Sequence, residues 1–203
     1  MTVITKQDYT IGALVGFLAG VFVIPTAFNV GIKSPLILAL LPLVIPPVFV
    51  FGVWFGKFLS RWIPFFAQFG KFAAVGFLSA TIDFGILNIL SNLTGITAGF
   101  IIGGVNVPGF SVAVVNGYLW NKLWVFQDRD PEGLFHDFPK FLAVTTTGLF
   151  LNSGIVILIT TYIPPLFLLG GAAWLNVAKV AATAVILVWN FAGYKFVVFR
   201  KNI

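Results

Sequence analysis

Charge-free runs divide this chain before any other feature does. One uninterrupted apolar run lies between Asp8 and Lys33, and a second between Lys33 and Lys57. Each is about twenty residues long, one bilayer crossing at a rise of about 1.5 Å per residue. Between Lys71 and Lys122 the only charged residue is Asp83, and between Lys140 and Lys195 it is Lys179. Each of these two stretches has room for two crossings and a turn. The turns show as polar or helix-breaking clusters: Ser91 to Gly95 in the first, Pro164-Pro165 and Gly170-Gly171 in the second. Pro108 suits the start of a helix, where a missing N–H costs nothing. The residues from about 94 to 107 are then an external loop or a short re-entrant piece. Pro46-Pro47 is expected to kink the second helix. The pattern predicts helices near 9–31, 34–57, 71–92, 107–127, 139–162 and 174–198. That is an all-α integral membrane protein of about six transmembrane helices. The stretch from Trp62 to Gly70 mixes aromatics with Pro and Gln and reads as an interfacial linker.

Composition points the same way. The chain is 59% hydrophobic and 9% charged, with a mean hydropathy of +1.04. Soluble domains are about 25% charged, so lipid must be the solvent for most of this surface. The formal charge of +6 sets topology and gives no reason to expect a nucleic-acid partner. Lys6, Lys57, Arg61, Lys71, Lys122, Arg129, Lys140, Lys195, Arg200 and Lys201 fall on one side, and Lys33 alone on the other. The positive-inside rule places the crowded side, with both termini, in the cytoplasm. The first run could instead be a signal peptide; Asp8 and the absence of a small-x-small cleavage site favour a retained helix. There is no Cys, and there is one His. No phosphate loop, nucleophile triad or metal-binding helix motif is present, so neither a cofactor nor a metal is expected. An enzyme acting alone is the least favoured class. The loop 127–139 carries Asp128, Asp130, Glu132, His136 and Asp137. Its Asp-Arg-Asp element is similar to the metal-binding acid-x-acid of nucleotide-sugar transferases, but so short a loop cannot build the domain that element needs. It reads as a solvated loop.

The chain is internally duplicated. KFAAVGFLSATIDFGILNIL from Lys71 and KFLAVTTTGLFLNSGIVILI from Lys140 share six residues without gaps, and Asp83 falls opposite Asn152. KLWVF from Lys122 matches KFVVF from Lys195. The repeats are 71–126 and 140–199, both entering and leaving on the same side, as parallel repeats do. The organisation expected is an N-terminal two-helix hairpin with linker over 1–70 and a duplicated four-helix membrane domain over 71–203.

Polar residues inside the apolar runs need a reason. Asp83 lies about 18 Å along its helix from Lys71, and a mid-membrane acid costs about 2.5–3.5 kcal/mol even on the lenient insertion scale. It shares a face with Gly76, Ser79 and Ala80, as Asn152 does with Thr145 and Gly148. Two readings stand for Asp83: a lock to a neighbouring helix, or a substrate-lining acid. Lys179 has two as well, snorkelling to the outer boundary or offering a cation to a lipid phosphate; it could also pair with Asp83. Asn176, Lys179, Thr183 and Asn190 lie near one line on the last helix. The aromatic-rich cytoplasmic ends fit an interfacial belt, which does not account for Asn116, Asn121 and Asn190 beside Lys122 and Lys195. Amides and ammonium groups at headgroup level can hold a phosphate-sugar head.

NGYLWNKLWVF at 116–126 and WNFAGYKFVVF at 189–199 resemble the two signature helix ends of the GtrA-like membrane family. KFAAVGFLSATIDFGILNIL at 71–90 and AKVAAT around Lys179 resemble its first and last helices. The resemblance covers about 71–200. It implies a four-helix GtrA-like bundle in a prokaryotic plasma membrane. It also implies work with polyprenyl-phosphate sugars in cell-surface polysaccharide synthesis. Carried over by motif, Asp83, Asn116, Asn121, Lys122, Lys179, Asn190 and Lys195 are candidate binding residues for the lipid phosphate-sugar. Asn152 joins them by its place opposite Asp83. Three functions follow: a translocase for a polyprenyl-phosphate sugar with a polar groove between the repeats, a membrane partner that docks a glycosyltransferase, or an unrelated small-solute transporter. A homo-oligomer is compatible with each.

Overall fold

A computed structural model describes residues 4–95, 102–128, 133–164 and 171–199. All regular structure among them is helical. The elements are α1 (Lys6–Phe22), α2 (Ile24–Asn29), α3 (Pro35–Leu59), α4 (Phe65–Thr94), α5 (Ile102–Trp120), a π-helical turn (Asn121–Val125), α6 (Phe138–Tyr162), α7 (Gly171–Gly193) and a second π-helical turn (Tyr194–Val198). Three spans among the described residues are long and apolar enough to cross a membrane: Lys6–Asn29, Pro35–Leu59 and Phe65–Thr94. The chain packs as two compact units, Met1–Gln127 and Asp128–Ile203.

In the first unit, α1 packs on α3 through glycine. Gly12, Gly16 and Gly20 recur every fourth residue and form one stripe of α1. A Cβ at Gly16 would lie 2.7 Å from Pro46 Cα, and one at Gly20 2.6 Å from Pro42 Cα. Pro42 and Pro46 are themselves one helical turn apart on α3, so two backbones meet with no side chain between them. Such close approach replaces the hydrophobic drive that lipid does not supply. Pro25 breaks the predicted first helix: with no N–H to donate, it opens α2 after the α-region cap Val23. Lys33 then turns back on that segment. Its Nζ donates to the Phe28 carbonyl at 2.8 Å and lies 3.4 Å from the Phe28 ring centroid. A cation at a helix C-terminus satisfies an orphan carbonyl and complements the dipole.

Two helix starts differ from the sequence reading. Residues 65–70, expected as interfacial linker, are the opening turns of α4. Phe65 stacks on Phe69, and Phe69 meets Phe72 at a tilt, at helical spacing. Gly70 seats against Gly56 of α3, where a Cβ on Gly56 would come within 3.2 Å of Gly70 Cα. These contacts reward winding the segment into the helix. The second difference is α5, which begins at Ile102, so Pro108 is interior and part of the expected external loop is helix. Interior proline is tolerated in membrane helices because neighbouring groups re-satisfy the freed carbonyl. Gly95, in the left-handed region at φ 70°, ends α4.

In the second unit, α6 and α7 pair closely. A Cβ on Gly148 would lie 2.7 Å from Asn190 Oδ1 and 3.3 Å from the Trp189 ring. Phe141, Tyr194 and Phe199 form a buried aromatic cluster, with the Phe141 and Tyr194 rings 4.4 Å apart.

Two π turns share one register between the aligned sequence segments. The π turns occupy matching positions, Asn121–Val125 within KLWVF's surroundings and Tyr194–Val198 within those of KFVVF. Each closes with an i-to-i+5 hydrogen bond: Phe126 N to Asn121 O at 2.9 Å, and Phe199 N to Tyr194 O at 2.8 Å. π turns are rare and frequent at functional sites. Both lie at the lysine-bearing ends, Lys122 within the first and Lys195 within the second.

Candidate functional site

The seam between α4 and α5 carries polar groups at three levels. At the lysine-bearing end, Lys71 is fully buried. Its Nζ donates to Asp8 Oδ1 at 2.6 Å, and Trp124 Nε1 donates to the same oxygen at 2.9 Å. Asp8 Oδ2 accepts from Thr5 N at 2.7 Å and from Thr5 Oγ1 at 3.1 Å, a capping box that starts α1. The Asp8 carboxylate therefore joins the N-terminal hairpin to both helices of the first repeat. The hairpin is fastened again at the other end of α4. Asn29 Nδ2 donates to Asn88 Oδ1 at 2.7 Å, Asn92 Nδ2 to Asn29 Oδ1 at 3.0 Å, and Asn88 Nδ2 to Thr26 Oγ1 at 3.2 Å.

Further along the seam, Asn116 Nδ2 donates to Ser79 Oγ at 3.1 Å. Beyond that, Asp83 faces α5 at Gly109: a Cβ there would lie 2.7 Å from the Asp83 carbonyl and 3.0 Å from Asp83 Oδ1. Only glycine lets α5 approach so closely. Asp83 Oδ1 is buried and accepts no hydrogen bond. The interhelical lock considered for Asp83 is thus not made by this oxygen.

Next to the first π turn, Asn121 and Lys122 are both buried. Asn121 Nδ2 donates to the Gly117 carbonyl at 2.7 Å, while its Oδ1 is buried with no partner. The Lys122 ammonium lies 6.0 Å from the Tyr118 ring centroid. In the second unit, Asn190 Oδ1 is buried without a partner against Gly148. Lys195 Nζ lies 5.6 Å from the Phe191 ring and 5.7 Å from that of Phe196. Thr145 Oγ1 and Tyr194 Oη share a hydrogen bond of 2.7 Å, and Trp189 Nε1 donates to the Val144 carbonyl at 3.2 Å. Asn152 lies on α6 and Lys179 on α7, but their side chains are outside the described residues. So is the proposed Asp83–Lys179 pair. Arg129 to Glu132, including most of the Asp-Arg-Asp element, lie outside the described residues too.

The buried side-chain polar atoms without a hydrogen-bond partner among the described residues are those of Asp83, Asn121 and Asn190. All three are candidate site residues from the sequence. Leaving a buried acceptor unsatisfied costs about 1–3 kcal/mol, so these are expensive groups the resting fold does not use. Sequence reasoning missed Asp8, Lys71 and Trp124 as a unit, and the Asn29–Asn88–Asn92 ladder. Thr5-x-x-Asp8 was readable as a capping box, and Asp8 is the sole acid ahead of Asp83.

Residues 71–199 match the family described as GtrA/DPMS, transmembrane domain. No curated protein and no solved structure matches the chain. The family match begins at the buried Lys71, spans both repeats and ends at Phe199, one residue past the second π turn. It covers well over half of the sequence, and with the apolar helices it settles the class: the chain belongs to the GtrA/DPMS transmembrane-domain family, multi-pass membrane proteins of polyprenyl-phosphate sugar and glycan processes.

Proposed function

We propose that the protein translocates a polyprenyl-phosphate-linked sugar across the plasma membrane, without catalysing a covalent step itself. The observation that carries this reading is the set of unsatisfied buried acceptors, Asp83, Asn121 and Asn190. A structural lock would spend those groups on hydrogen bonds within the fold. Held free along the interior of each helix pair, they suit transient bonding to sugar hydroxyls, which donate. Lys195, at the π-turn end of the second repeat, supplies the complementary charge for phosphate oxygens. Asn116, Asn152 and Lys179 extend the polar set along the same helices. The prenyl tail would stay in lipid while the head exchanges bonds along these groups.

The test is headgroup accessibility in proteoliposomes. A polyprenyl-phosphate sugar is loaded in both leaflets, and an impermeant reagent consumes the outer pool. Protein-dependent loss of the protected inner pool, abolished by Asp83→Ala in folded protein, is expected. Vesicles in which the inner pool stays protected would refute translocation and leave the docking of a glycosyltransferase as the function. Co-purification with such an enzyme would then identify it.

A further inference from the structure

The two repeats carry equivalent lysines but treat them differently. Lys71 and Lys122 of the first repeat correspond to Lys140 and Lys195 of the second. In the first unit both are withdrawn from solvent, Lys71 at 0% and Lys122 at 2% exposure. The carboxylate that neutralises Lys71 comes from outside the repeat, from Asp8 of the hairpin. The first repeat has no acid of its own there: the position matching Asp137 is Gln68. In the second unit the Lys140 side chain is 51% exposed, with Asp137 Oδ1 3.2 Å from its Nζ. That contact uses one of three ammonium N–H groups and leaves the others open. Lys195 is half-buried over two ring faces and has no carboxylate partner among the described residues. The Phe141–Tyr194 stack at 4.4 Å joins the residues adjacent to Lys140 and Lys195, which puts both lysines at one end of the unit.

We infer that the repeats divide their labour: Asp8 permanently fills the cationic end of the first, and the open Lys140–Lys195 end of the second receives a lipid-borne phosphate. The inference rests on the polyprenyl-phosphate reading for its ligand class and adds where the phosphate enters. The ammonium of Lys71 and the indole N–H of Trp124 converge on one carboxylate oxygen, the donor set that an anionic phosphate oxygen would also take. A tethered carboxylate already sits there at high effective concentration, so a free lipid phosphate competes poorly. At the other end Asp137 is buried too, but the ammonium it meets is not: the Lys140 side chain stays 51% exposed where that of Lys71 is at 0%, so a second anion can still reach it. Phe196, 65% exposed beside Lys195, offers apolar surface to the chain carrying the phosphate. An ordinary anionic lipid headgroup presents the same chemistry, and the experiment separates the two sources.

Binding of a short-chain polyprenyl phosphate to the full chain in neutral detergent is measured by native mass spectrometry, with phosphatidic acid as competitor. One lipid per chain is expected. Lys140→Ala with Lys195→Ala should weaken that binding by about tenfold or more. Asp8→Asn, which removes charge while keeping shape, should add a second bound lipid that Lys71→Met then removes. Unchanged affinity in the folded Lys140→Ala/Lys195→Ala variant would overturn the inference, as would loss of the single lipid on Lys71→Met alone. If Asp8→Asn does not fold, the Lys140/Lys195 arm decides. Equal displacement by phosphatidic acid would keep the site and assign it to anionic headgroups in general; resistance to displacement would assign it to the polyprenyl phosphate. Lysine-dependent binding without headgroup transfer in proteoliposomes would leave this inference standing and remove the translocase reading.

Discussion

Replacing Asp8 by alanine should destabilise the protein more than any other single change in the N-terminal hairpin. The carboxylate meets Lys71 at 2.6 Å, Trp124 at 2.9 Å and the Thr5 amide at 2.7 Å. Its loss leaves the ammonium of Lys71, at 0% exposure, without a counter-ion. Breaking one side of a buried pair costs about 3–5 kcal/mol. The capping box lost with it costs about 0.5–2 kcal/mol by itself, and the two overlap because Thr5 and Lys71 share the carboxylate. A total near the upper part of the first range is the expectation. Removing both charges is a different matter, since buried pairs replaced by apolar groups are often neutral. Asp8→Ala with Lys71→Met should therefore be more stable than Asp8→Ala alone, by about 2 kcal/mol or more. Denaturant titration in detergent micelles, followed by Trp fluorescence and helical circular dichroism, measures each corner of the cycle. An Asp8→Ala variant within about 1 kcal/mol of the parent, with Lys71→Met adding to the loss instead of relieving it, would refute the reasoning.

Other changes test the packing around the site. Gly20→Leu drives a side chain into Pro42 Cα, which a Cβ alone would meet at 2.6 Å; a loss of about 1–3 kcal/mol is expected. The chain has no native Cys, so a cysteine pair placed across α1 and α3 should crosslink in the parent and fail to in this variant. Asn88→Leu removes bonds to Asn29, Thr26 and the Phe84 carbonyl. At about 0.6 kcal/mol per membrane hydrogen bond, a loss of about 1–2 kcal/mol should appear in the same titration. Tyr194→Phe gives up the 2.7 Å bond to Thr145 and should cost about 1 kcal/mol. Thr145→Val also loses its 2.8 Å bond to the Phe141 carbonyl, so Tyr194→Phe with Thr145→Val should cost less than the sum of the two single changes, and a fully additive pair would argue against the Thr145–Tyr194 bond.

Much of the fold was legible because lipid imposes long apolar runs and puts charge in the gaps. The helices of α3 and α6 fall within a residue or two of their predicted limits. The departures have local causes. Pro25 divides the first span because a missing N–H interrupts the ladder, whereas Pro108 sits inside α5, and apolar periodicity does not tell these outcomes apart. Phe65 to Gly70 looked interfacial by composition, yet the Gly56–Gly70 approach draws them into α4. The candidate site was half legible. Asp83, Asn121 and Asn190 stood out as polar groups in apolar surroundings, and their unsatisfied oxygens are what the fold leaves available. Asp8 read as an ordinary flank of the first helix because its partners lie far along the chain, at Lys71 and Trp124. Such pairing is a tertiary fact, set by how the hairpin lies against α4 and α5. The π turns were likewise invisible to a 3.6-residue period, though the matched KLWVF and KFVVF segments marked where to look.

The most direct test of translocation is the inner-leaflet pool of a polyprenyl-phosphate sugar in proteoliposomes, followed with an impermeant reagent for the parent, Asp83→Ala and Asn190→Ala. The account predicts rapid loss of the protected pool with the parent, and with each folded variant a rate close to that of empty vesicles. A pool that stays protected with the parent, or that drains equally fast with both variants, would contradict it.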